Sequence, residues 1–205
     1  MIISLHIPKT GGSSFGNILK SVYKEKLWVN YDRQWSKSAV NNAKIPDNME
    51  CLHGHFEFDA FEEMFPLATK ITWLRDPVER TISLYNHIMH RPDVKNDLIM
   101  KIYEQKPSLL EFSRIAWVKN HALIYLGEAK PSDFAFIGFV DSFSDSLKLC
   151  SKLLGWSFLP REIWINKSKK NISQIPEDVK KSIRLINQDE LDWIQEARRI
   201  FNENS

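Results

Sequence analysis

Apolar residues fall in short blocks along this chain, and the blocks alternate between two periods. Ile2–His6 is a compact, mostly apolar run that predicts a buried strand. After a turn, Phe15, Ile18, Leu19, Val22 and Tyr23 recur at helical spacing and make one apolar face. Cys51–Phe56 predicts a second strand, Phe58–Phe65 a helical turn or short helix, and Lys70–Leu74 a third strand. Val78, Ile82, Tyr85 and Met89 form the stripe of the next helix. Residues 91–131 read as mostly helical, broken at Pro107 and Gly127. Phe134–Phe139 predicts a fourth strand and Ser142–Leu154 a helix. Pro176 opens a further helix, and Leu191, Ile194, Ala197 and Phe201 mark the last one. The polar stretch 30–50 reads as a long surface loop.

Strands alternating with helices indicate an α/β fold, one domain over residues 1–205 with a mostly parallel central sheet flanked by helices. Anion sites in such sheets lie beyond the carboxyl ends of the strands. Lys9, His55 and Arg75 each follow a predicted strand closely, so three strand ends deliver a cation or an imidazole to one rim.

Composition narrows the partners. Apolar content of 43% and charged content of 26% are those of a globular domain with an ordinary core. A formal charge of +2 is too small for nucleic-acid binding through bulk electrostatics, so an anion site must be local. Cys51 and Cys150 are too few for a disulfide framework, although one bridge between them stays open. No stretch reaches the roughly 18 apolar residues of a membrane helix, and no signal peptide precedes the first strand. With Met1 as the native start, a cytoplasmic enzyme is the default, and the sequons at Asn166 and Asn171 read as accidental.

The chemistry concentrates in four segments. In Pro8-Lys9-Thr10-Gly11-Gly12-Ser13-Ser14, two glycines allow a tight turn, and the next helix offers its first N–H groups to an anion. Lys9, Thr10, Ser13 and Ser14 add charge and hydroxyls. An ATP-binding Walker loop places Lys after its glycines, whereas Lys9 precedes them here, which argues for an anionic cofactor other than a nucleoside triphosphate. Arg75 stands just ahead of Asp76-Pro77-Val78-Glu79, a near capping box, where its fork can meet a phosphate; Ser83 follows two turns on. The alternative for this segment is a well-capped helix with solvated arginines.

On a strand, Cys51, His53 and His55 share one face. No further ligand pair completes a metal site, so a general base is the better reading, with two hydrogen-bonded core histidines as the alternative. Finally, the basic segment 166–170, including Ser168 and Lys169, reads either as a cover over an anion or as a solvated loop.

These segments resemble a known family. Ile7 to Ser14 resembles the 5′-phosphosulfate loop of sulfotransferases that use 3′-phosphoadenosine 5′-phosphosulfate (PAPS), and Arg75-Asp76-Pro77 through Ser83-Leu84-Tyr85 resembles their 3′-phosphate motif. His53-Gly54-His55 is similar to the histidine pair of heparan sulfate 2-O-sulfotransferases and their relatives, and Phe136–Val140 with Phe143 and Leu147 resembles a later strand–helix unit. The matches run in order from residue 2 to about 170. The resemblance implies the sulfotransferase variant of the P-loop NTPase fold. It implies that Lys9, Thr10, Gly11, Gly12, Ser13 and Ser14 hold the 5′-phosphosulfate, that Arg75 and Ser83 hold the 3′-phosphate, and that Ser168 and Lys169 close over the cofactor. By the same resemblance His55 is the catalytic base, assisted or oriented by His53, and Lys9 steadies the leaving oxygen.

The expected reaction moves a sulfuryl group from PAPS to a hydroxyl, on a glycan or a small metabolite, without a metal. Glu57 is a reserve base if the second strand continues past His55, and Trp117, Asn120, His121 and Tyr125 are placed on the acceptor side. Two rivals stand beside this: a nucleotide or small-molecule kinase needing Mg²⁺, with Asp76 as its nearest acidic ligand, and a nucleotide-binding protein without turnover.

Overall fold

The structure, a computed structural model, describes residues 1–35, 40, 43–90, 96–160 and 174–202. Strand β1 (Ile2–Leu5) is buried on both faces from Ile3 onward, as a strand between two helical layers must be. Around it lie β2 (Leu27–Trp35), β3 (Cys51–Phe56), β4 (Thr69–Leu74) and β5 (Phe136–Phe139) in the order β2-β3-β1-β4-β5. Every neighbouring pair is parallel. Ser4 is opposite His53 on one side and Ile71 on the other. The carboxyl ends of β3, β1 and β4 therefore open side by side on one rim.

Helix α1 (Gly12–Tyr23) returns the chain across one face, where Phe15, Ile18 and Leu19 pack with Ile71, Trp73 and Phe143. Phe143 belongs to a second helix on that face, spanning Phe143–Leu153. The opposite face carries Leu52, Phe56, Leu74 and Ile137, covered by a short helix at His121–Leu126 and a long one at Gln188–Asn202. In chain order the helices after α1 are α2 (Pro77–Met89), α3 (Asp97–Gln105), α4 (Leu109–Ser113), α5 (His121–Leu126), α6 (Phe143–Leu153), α7 (Glu177–Ile186) and α8 (Gln188–Asn202). Helix α2 divides its apolar stripe. Leu84 and Ile88 meet α3 and α4, whereas Val78 and Ile82 meet Ile183 of α7.

Two expectations are corrected. The stretch 30–50 is not loop throughout: β2 runs to Trp35 and adds a fifth, edge strand, in parallel register with β3 from Leu27 onward. Its Asn and Asp residues disfavour a strand by propensity, but pairing with a buried neighbour overrides that weak preference. Residues 58–64 form successive turns, the helical-turn alternative, closed by the Phe65 N–H on the Phe61 carbonyl at 2.8 Å. Strand β3 stops at Phe56, so the alternation that would align Glu57 with His55 ends one residue short. Both cysteines are free and buried, which answers the question of a bridge. Among the described residues no helix is long and apolar enough to cross a membrane.

Candidate active site

The turn after β1 is shaped to receive an anion. Lys9 and Gly11 both adopt left-handed backbone angles, φ 72° and 80°. A glycine is at ease there; a lysine is not, and such strain in a turn is usually retained for function. Thr10 is turned inward: its hydroxyl donates to the Ile7 carbonyl at 2.8 Å and closes the turn. Gly11 caps α1 without any side-chain hydrogen bond, and no acidic residue lies in the first turn. The helix thus presents its positive end with no carboxylate or hydroxyl cap on it. Ser13 is exposed beside it and Ser14 is buried.

Next to this turn three imidazoles stack. His6 lies 4.6 Å from His55 and 5.3 Å from His53, centroid to centroid, with interplanar angles of 24° and 10°. Their nitrogens are assigned by their partners, because a carbonyl only accepts. His53 donates from Nε2 to the Gly12 carbonyl at 3.3 Å and accepts at Nδ1 from the Ser4 hydroxyl at 2.8 Å. Both of its nitrogens are committed. His55 donates from Nδ1 to the His6 carbonyl at 2.9 Å, which leaves the Nε2 lone pair as its acceptor. Burial lowers the pKa of all three: His53 from 6.5 to about 4, His55 in the same direction against the pull of its bond to His6. His6 lies well below its ordinary value through burial first, then its two neighbours and Lys9. All three are neutral at pH 7, so His55 is poised to take a proton rather than give one.

The rim continues at β4. Asp76 accepts from the backbone N–H of Val78 and of Glu79, both at 3.0 Å, and so caps α2 in front of Pro77. Both bonds fall on Oδ1, which gives Asp76 the helix-capping role that its place before Pro77 predicts. Arg75 is half-buried and donates from Nε to Glu79 at 3.1 Å; its two Nη groups make no hydrogen bond among the described residues. Ser83 lies one turn beyond Glu79 on the same side of α2. The motif's other arginine is not solvated: Arg80 is fully buried and clamped by Glu190.

The model of the sulfotransferase family matches residues 1–199, nearly the full length. This chain belongs to the sulfotransferase family. No curated protein matches it. Among solved structures it is similar to a mouse sulfotransferase, SULT7A1, complexed with PAP, at 12% identity and a TM-score of 0.49, covering 93% of this chain. It spans 65% of the length of that mouse protein. It is also similar to a sulfotransferase from Alicyclobacillus acidocaldarius, at 14% identity and a TM-score of 0.48, covering 98% of this chain and 95% of that one.

In this member of the family the fold brings Lys9, Gly11, Gly12, Ser13, His53, His55 and Arg75 to neighbouring strand ends. Ser168 and Lys169 lie outside the described residues. Two site residues were not expected. His6 lies one residue past β1, where its N–H donates to the Gly54 carbonyl at 2.7 Å and its ring stacks on His53 and His55. Tyr31 packs its ring 5.6 Å from both His53 and His55, and it was hidden because its strand reads as loop. From the other side Tyr125 approaches His55 at 6.2 Å, and His121 approaches Tyr125 at 5.4 Å.

Proposed function

We propose that this sulfotransferase uses PAPS as donor and a hydroxyl as acceptor, with residues 1–205 acting as one domain. The observation that carries the reading is a juxtaposition: a helix start without a side-chain cap lies against His6, whose ring stacks on His55, and the His55 tautomer leaves Nε2 as a proton acceptor. The residues suit the donor's charges. The left-handed turn, Lys9, Gly12, Ser13 and Ser14 would hold the 5′-phosphosulfate, and Arg75 with Ser83 the 3′-phosphate. When bound, the donor would supply an activated sulfuryl group for transfer to the acceptor oxygen, the phosphate leaving with the electron pair of the sulfur–oxygen bond.

His55 Nε2 takes the acceptor's proton, which balances the step. Lys9 would supply the cation that steadies the leaving oxygen, where negative charge collects. His53 positions β3 against α1 and does not compete for the proton, since both its nitrogens are bonded. Tyr31 and Tyr125 pack near His55, at 5.6 and 6.2 Å between ring centroids, and would border the space where a glycan or small metabolite presents its hydroxyl.

A thermal-shift comparison tests the donor. Stabilisation by 3′,5′-adenosine bisphosphate (PAP) and not by ATP with Mg²⁺ is expected. The reverse result would move the protein to the kinase class. Tight PAP binding with no sulfate transfer to any hydroxyl would make it a binding protein.

A further inference from the structure

His6 stands between the helix start and His55. A methyl group in place of the Gly12 hydrogen would fall 1.9 Å from both Cδ2 and Nε2 of its ring, so that edge of the imidazole lies directly against the first residue of α1. The same ring stacks on His55. Nδ1 is buried and has no hydrogen-bond partner among the described residues. A neutral imidazole carries one ring proton, and buried orphaned N–H groups are rarer than buried under-satisfied acceptors. The proton therefore belongs on Nε2, the atom on the Gly12 side.

The His6 ring thus touches both the turn at α1, where the donor reading places the phosphosulfate, and His55, where it places the acceptor oxygen. We infer that His6 Nε2–H donates a hydrogen bond to a peripheral oxygen of the sulfuryl group, a role that rests on the donor reading above. A neutral donor suits that position. It offers an N–H to the peripheral oxygens and leaves the concentrated charge of the leaving oxygen to Lys9. The competing account makes His6 a wedge that only spaces Gly12 from the sheet, and the two accounts part on one ligand pair. PAP carries the donor's phosphates and lacks its sulfuryl group.

The test is calorimetric titration of PAP and PAPS into the wild type, His6→Phe and His6→Gln, each checked for a cooperative melt. The phenyl ring keeps the stacking and removes the N–H; the glutamine restores a donor. In His6→Phe, PAPS affinity should fall at least about tenfold while PAP affinity stays within about twofold. His6→Gln should regain most of the PAPS affinity. Parallel loss of both ligands makes His6 a wedge, and unchanged PAPS affinity removes the contact; either overturns the inference. A wild type that binds neither ligand would overturn the donor reading and this inference with it. PAP binding by the wild type keeps the two failures apart.

Discussion

His55 donates its Nδ1 proton to the carbonyl oxygen of His6, 2.9 Å away across the seam between β3 and β1. The bond fixes the tautomer and orients the ring, leaving the Nε2 lone pair free of it. His55→Ala should lower turnover by roughly 10²–10⁴-fold while leaving PAP binding intact. Because burial lowers its pKa, the acid limb of kcat/KM should lie below pH 6.5, where a solvent-exposed histidine would already be charged. A pH profile whose acid limb persists unchanged in the alanine variant would remove His55 from the mechanism.

Lys9 and Gly12 should fail in different ways. Lys9→Ala removes the cation, so turnover should vanish and donor affinity drop, with little change in melting temperature. Gly12→Ala drives a methyl into the His6 ring, an overpacking that typically costs about 1–3 kcal/mol. PAP binding should weaken because the helix start must shift. Adding His6→Ala to Gly12→Ala opens that space and should recover part of the stability, which denaturant unfolding of the three variants would measure.

What could be read from the chain followed the strength of its local signals. Short apolar runs beside glycine and proline marked β1, β3, β4 and β5, and the 3.6-residue stripes marked α1 and α2. The parallel rim followed from their alternation. β2 was missed because Asn30 and Tyr31 carry no buried face of their own; the strand exists by pairing with β3, a non-local fact. Tyr31 was lost with it. His53 and His55 were legible as a pair, but not their division of labour. That depends on Ser4 and on the Gly12 and His6 carbonyls, which spacing along β3 does not report. Arg80 looked solvated because its partner is 110 residues away.

That partner makes a second kind of prediction. Arg80 donates from Nε and Nη2 to the two oxygens of Glu190 at 2.8 and 3.0 Å, with both side chains fully buried. Glu190 also accepts from the Ala122 backbone at 3.0 Å, so the pair pins α2 and α5 to α8. Removing one charge leaves the other buried and uncompensated, a loss of about 3–5 kcal/mol. Glu190→Gln should therefore lower the melting temperature by roughly 10 °C, while Arg80→Met with Glu190→Leu should recover most of it. A Glu190→Gln variant that melts with the wild type would mean the pair contributes nothing to the docking of α8.

Acid should unfold the protein through its histidines before its carboxylates matter. His53 and His121 titrate in the folded state at about 4, each depressed chiefly by burial and His121 further by Arg80. In the unfolded chain both return to about 6.5. Between those values the unfolded state binds protons that the folded state refuses, so stability falls as pH drops. Each residue contributes roughly 3 kcal/mol across the interval, present in full above pH 6.5 and gone below about 4. His6 and His55 are shifted in the same direction and add to the effect. Urea midpoints measured at half-unit steps from pH 7.5 to 4 should decline with the steepest slope inside that window. His121→Gln should flatten the slope without touching the stacked trio, because Trp117 holds the His121 ring from the other side of Tyr125. A profile flat to pH 5 would mean that these imidazoles are solvated in the folded protein, and the case for His55 as an uncharged base would go with it.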